Sequence, residues 1–306
     1  MNAIIAQDND AGLALDAHAL RATPDLNVLM DSADPSDLDI MVDYITDRGQ
    51  GRLTLDSTVC SILVKAKEGQ HYGPTERALI AHEVLEFGGN TLGNAYRKAR
   101  AAIPAGGLLD SILPNAAATV EYDEIVRDVA SHLDVKLPGY TAVADVEEAI
   151  LRRILGRAVE KMTDDERAEV EKVLGFGSKP MGPAALAAVI QGARLGGFAT
   201  YKLATMVAHA VSKALLGRGL TFATTGALMK GLSVALGPIG WAVTALWTLA
   251  DLSSPAYRVT VPAVVQIAYM RSKLIAQHTY RSCKSCDAAI ERTDKFCSEC
   301  GTAQEA

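Results

Sequence analysis

Four cysteines near the C-terminus carry the clearest chemistry of the chain. Cys283 and Cys286 form one C-x-x-C pair and Cys297 and Cys300 a second, with ten residues between the pairs. Two such pairs on two short turns supply four thiolates, which satisfies a tetrahedral Zn²⁺ ion and leaves no coordination position open for a substrate. The expected cofactor is therefore structural zinc. A redox C-x-x-C is disfavoured because neither pair sits in a strand-to-helix context, and a rubredoxin-like iron site is the remaining alternative. Gly301 supplies the permissive backbone that a knuckle needs after its last ligand. A tail of this size, residues 281–306, has too little core to fold unaided, so the ion has to supply its folding energy. From Arg281 onward the tail has four basic and five acidic side chains, and one Zn²⁺ with four thiolates adds a further charge of about −2. Phosphate would be repelled, and nucleic acid is not expected as a partner.

The elements that must carry this tail are helical by composition. The chain has 306 residues, of which 49% are hydrophobic and only 5% aromatic. Its apolar mass is thus mostly Ala, Leu, Val and Ile, a mixture that favours helix where Ala and Leu dominate. The expectation is an all-α, multi-helix bundle with an apolar Gly/Ala-rich helical hairpin and a small C-terminal zinc ribbon. Four regions are read: 1–60 acidic and helical, 61–175 an ordinary helical domain, 176–280 apolar and poor in acids, and 281–306 the ribbon.

Charge is distributed unevenly. Residues 1–60 hold eleven Asp and no Glu against Arg21, Arg48 and Arg52, whereas Lys172 to Ala250 runs 79 residues without one carboxylate. That stretch keeps seven cations: Lys172, Lys179, Arg194, Lys202, Lys213, Arg218 and Lys230. Gly231 to Ala250 is 20 uncharged residues, about 30 Å as a helix and so comparable to a bilayer's hydrocarbon thickness. Gly237-Pro238 interrupts it, which makes either a kinked span or a hairpin. Apolar surface with only positive charge suits an anionic lipid surface. Lys202, Lys213, Arg218, Lys230, Trp241, Trp247 and Arg258 are the expected contacts with a membrane or a membrane-protein partner, set against the plainer reading of a buried hairpin at the centre of a bundle. Met1 to Asp10 lacks a basic export region, so a cytoplasmic or inner-membrane-face location is expected.

Cap and periodicity signals place the individual helices. Thr23-Pro24 and Asp34-Pro35 each read as a cap before a proline at the first helical position, the second opening a helix over 35–47. A short helix follows Asp56, and Gly73-Pro74 opens one that Gly88-Gly89 breaks. Residues 103–118 read as a loop or broken helix. Helices are expected over 120–133 and 145–161, and Thr163 with Glu166 forms a capping box for one ending at Gly175. Beyond it helices are predicted at 183–195, 198–216, 220–236, 238–251 and 262–279.

Tyr257 to Ala268 (YRVTVPAVVQIA), Glu83 to Asn90 (EVLEFGGN) and the Asp-rich segment from Asp25 to Leu55 resemble the YaaW-like family of uncharacterised bacterial proteins, one grouped with the ubiquinol-cytochrome c chaperones. The likeness covers roughly residues 25–280 and leaves the cysteine module outside it. It implies a helical fold and no activity, and no catalytic residue can be carried over from it.

Other constellations fall short. His82-Glu83-x-x-Glu86 lacks the second imidazole of a zinc-protease helix, and Gly88-Gly89-x-x-x-Gly93 and Gly175-x-Gly177 have no P-loop lysine. Cys60, in an apolar run, reads as a buried thiol. With no convergent acid, base and nucleophile, a non-enzymatic membrane-associating protein is expected, the alternative being an assembly chaperone or adaptor for a membrane complex.

Overall fold

Side-chain caps decide where four of the described helices begin. Asp16 accepts from the Ala19 amide at 2.7 Å, Asp25 from Asn27 at 2.9 Å, and Asp56 from Thr58 at 2.7 Å and Val59 at 3.2 Å. Thr163 and Glu166 close a reciprocal capping box. Each bond satisfies amides that a helix start otherwise leaves unpaired. The computed structural model describes residues 16–52, 55–89, 120–137, 142–176, 180–192, 195, 197–220 and 257–304. In chain order its elements are α1 (Ala17–Ala22), α2 (Leu26–Ser32), α3 (Pro35–Thr46), α4 (Ser57–Glu68), α5 (Pro74–Gly88), α6 (Tyr122–His132), α7 (Val143–Val159), α8 (Asp164–Leu174), α9 (Pro183–Gly192), α10 (Phe198–Leu216) and α11 (Tyr257–Thr279). A two-stranded antiparallel sheet, β1 (Tyr280–Ser282) and β2 (Ala289–Glu291), follows. The fold is all-α with a small cysteine tail, as expected.

Two helix starts differ from the sequence reading. Thr23 closes α1 and does not open a helix; Asp25 caps α2 instead. Helix α11 begins at Tyr257 and carries Pro262 inside it. The proline costs roughly 3 kcal/mol, which burial of Val261 and Val264 on either side, at about 1.5–3 kcal/mol each, offsets. The predicted helices at 220–236 and 238–251 and the loop at 103–118 lie outside the described residues.

One continuous apolar core runs from Leu20 to Ala276, and a separate small one joins Cys283, Ile290 and Cys297. Helix α11 lies at the centre of the larger core, packed against α1, α2, α3, α5, α6, α7 and α10. Helix α3 is buried at every position from Asp37 to Thr46, so its carboxylates cannot reach water and each must be paired. Asp37 meets Lys273 at 2.7 Å, Asp39 accepts from Tyr72 and Gln70 at 2.6 Å each, and Asp43 takes Lys67 at 2.5 Å and the Arg218 Nε at 3.1 Å.

These pairs orient the bundle. Lys273, late in α11, sits at the start of α3, whereas Arg258, early in α11, lies close enough to Arg52 to lower its proton affinity, secondary to burial. Arg52 in turn donates to the Tyr44 and Ile45 carbonyls near the end of α3. The two helices are therefore antiparallel. Arg218 and Arg258 lie beside the same end of α3, and the cysteine tail extends from the opposite end of α11, about 34 Å away for 23 residues.

Candidate metal centre

Two turns of the same construction bring the four sulfurs together. In the first, Cys283 donates its amide to the Ala288 carbonyl at 2.8 Å and accepts the Asp287 amide at its own carbonyl at 3.0 Å. In the second, Cys297 pairs in the same way with Thr302 and Gly301, both at 2.9 Å. The residue four beyond each leading cysteine takes a left-handed backbone: Asp287 at φ 60° and Gly301 at φ 72°. The hairpin register Tyr280↔Glu291, Arg281↔Ile290 and Ser282↔Ala289 and the bridge Phe296↔Ala303 set the turns face to face.

The Sγ atoms of Cys283, Cys286, Cys297 and Cys300 all lie within 4.8 Å of one another, with Cys283–Cys300 and Cys286–Cys297 each at 3.7 Å. Sulfurs about 2.3 Å from a single tetrahedral ion would stand about 3.8 Å apart, so the spacing fits one ion at the centre. The four cysteines could hold a metal ion. Cys283 and Cys297 are buried, while Cys286 and Cys300 reach the surface.

Hydrogen bonds from backbone and Thr302, and the sulfurs' own proximity, set Cys283, Cys286 and Cys300 apart in acidity. Amides of Cys286 and Ser285 pull the Cys283 thiol down, and bonds from Thr302 bring Cys300 to about 6. The Ala288 amide also lowers Cys286, but the other three sulfurs outweigh it and push that thiol up to about 12. Four thiolates cannot share this volume unless a cation neutralises them.

The tail joins the bundle without a linker, because Thr279 ends α11 and Tyr280 starts β1. The Tyr280 ring packs on Phe198 at 5.5 Å between centroids, and its hydroxyl meets the Phe198 amide. Arg292 donates to the Gln277 carbonyl through Nε at 3.1 Å and Nη2 at 2.8 Å.

The basic residues expected at a membrane divide into groups. Lys202 is half-buried with its ammonium 5.5 Å over the Phe198 ring, and burial lowers its proton affinity, partly restored by Glu299 of the tail. Arg218 is half-buried and bound to Asp43. Lys213 and Arg258 are exposed. Lys230, Trp241 and Trp247 lie outside the described residues. Among the described residues no helix is long and apolar enough to cross a membrane. Cys60 is only half-buried, lying 3.9 Å from where a Cβ on Gly51 would stand, which corrects the expected buried thiol.

Sequence reasoning missed the buried ionic network. Arg271 and Glu147 pair at 2.8 Å, and Lys273 joins Asp34 and Asp37. The available signal was Arg271 and Lys273 lying among residues that are otherwise mostly apolar in α11.

A helical body with a four-thiol tail is thus the class of protein that the fold and site define. A UPF0174 protein of Helicobacter pylori strain J99 is 40% identical over 156 residues, covering 50% of this chain and 62% of that protein. A second from the same strain is 31% identical over 233 residues, covering 73% of this chain and 100% of its own length. The UPF0174 protein YaaW of Escherichia coli K12 is 28% identical over 236 residues, covering 76% of this chain and 87% of its own. The chain belongs to the UPF0174 family. No family model and no solved structure matches it.

Proposed function

We propose that the protein is a non-enzymatic helical body whose cysteine tail holds one structural Zn²⁺ ion and whose apolar segment associates with an anionic membrane surface, at the cytoplasmic face. The observation that carries the zinc reading is the closed set of four sulfurs, whose spacing fits a tetrahedron and leaves no place for a substrate. The membrane reading draws on the 20 uncharged residues 231–250 and on the exposed cations Lys213 and Arg258. A functional division at about residues 60, 176 and 281 goes with it. Atomic emission on the purified chain should find one zinc per molecule. Flotation with liposomes should succeed with anionic lipid and fail with neutral lipid; failure with both overturns the membrane part.

A second reading, an assembly chaperone or adaptor for a membrane complex, is favoured by Phe296, which stands 64% exposed on the tail. Fractionation separates the two, since carbonate-resistant pelleting supports insertion and release by salt supports a peripheral adaptor.

A further inference from the structure

Two helix ends of the body are closed by side chains of the cysteine tail and not by residues of their own. The N-terminus of α10 starts at Gly197, which has no side chain to accept from the first-turn amides and stands at φ 63°. The Tyr280 hydroxyl occupies the space that a Cβ on Gly197 would take and meets the Phe198 amide, so a residue of β1 acts as the cap. At the other end, the last carbonyls of α11 would be left unpaired. Arg292, one residue past β2, donates from Nε and Nη2 to the Gln277 carbonyl, and its amide donates to the Thr279 carbonyl at 2.9 Å. A cation at a helix C-terminus also meets the negative end of the helix dipole. A third tie is electrostatic: Lys202 on α10 feels Glu299, which lies between Cys297 and Cys300.

The geometry points to a metal-dependent clamp: we propose that zinc occupancy of the tail governs the order of the first turn of α10 and the last turn of α11. The proposal rests on reading the four cysteines as a zinc site. Without the ion, the tail's small core of Cys283, Ile290 and Cys297 has little to hold β2 in register with β1. Arg292 and Glu299 then leave their positions, and Tyr280 loses its partner strand. Both helix ends fray. The interior of the bundle keeps its own contacts and does not respond.

Hydrogen exchange on the full chain tests this, comparing zinc-loaded protein with chelator-stripped protein whose metal content has been measured. Amides in 275–279 and 198–204 should exchange roughly ten-fold faster after stripping, while those in 38–46 stay unchanged. Verified loss of zinc with no change at either helix end overturns the clamp. A chain that carries no zinc and shows no thiolate band on Co²⁺ titration overturns the zinc reading itself. Tyr280→Phe keeps the ring and all four sulfurs; it should retain its zinc and still speed exchange at 198–204, and unchanged exchange there counts against the clamp.

Discussion

The Arg271 guanidinium and the Glu147 carboxylate, 124 positions apart in the chain, meet with Nε 2.8 Å from Oε2 at a point where neither side chain is more than 2% exposed. The Tyr122 hydroxyl donates to the other oxygen of Glu147 at 2.8 Å, and Arg271 Nη1 donates to the carbonyls of Leu20 at 2.6 Å and Thr23 at 2.9 Å. Burial pulls the Arg271 proton affinity down, and Glu147 and its neighbours more than restore it. One ion pair thereby ties α1, α6, α7 and α11 together.

Removing one partner leaves a charge stranded in the core. Glu147→Ala should lower unfolding stability by about 3–5 kcal/mol, whereas Glu147→Leu with Arg271→Met should recover most of that loss. Urea unfolding of both variants against the parent checks it, and a double variant no better than the single one contradicts it.

Asp37 predicts a pH dependence. Burial outweighs Lys273 and raises this carboxyl to about 6. The folded chain then binds the proton more tightly than the unfolded chain. The site's contribution to stability is full below about pH 4 and is lost as pH rises through about 6. Asp37→Asn leaves Lys273 paired with Asp34. Parent minus variant stability should therefore fall by up to about 3 kcal/mol between pH 4 and 7, as read by denaturant midpoints at both pH values.

Arg218 and Lys213 should separate an internal clamp from a surface contact. Arg218 holds the buried carboxylate of Asp43, which also has Lys67 as a partner. Arg218→Ala should cost about 1–2 kcal/mol of stability and leave liposome flotation unchanged. Lys213, exposed on α10, should do the reverse when changed to Ala, with stability held within about 0.5 kcal/mol and flotation weakened.

Cys286→Ser should remove the metal from the tail while far-UV circular dichroism of the helices stays near the parent's. Cys60→Ser should keep one metal per chain. Atomic emission on both variants decides it, and a Cys286→Ser chain that retains zinc argues against a four-thiolate site.

Local signals were readable and long-range ones were not. The bounds of α10, the Thr163–Glu166 box and the left-handed Gly175 at the end of α8 follow from caps and periodicity within a few residues. The cysteine cluster was readable from spacing alone, because ligand geometry demands that spacing. Thr23-Pro24 misled because Asp25, two positions after Thr23, supplies the cap that α2 uses. The role of Arg218 within the acid-free stretch was hidden for a deeper reason. Burial of Asp37 and Asp43 depends on Lys273 and Arg218 far along the chain, and nothing local separates a paired buried carboxylate from a solvated one. One of the cations read as facing lipid, Arg218, is thus the counter-charge of an acid in the N-terminal helices.

The all-round burial of α3 bears on how the molecule can be cut. A fragment starting beyond residue 46 would lose not a dispensable acidic leader but the counter-ions of Lys273 and Arg218 and much of the apolar lining of α11. Such a truncation should express as insoluble material, so shortened versions of this chain are better trimmed from the cysteine end.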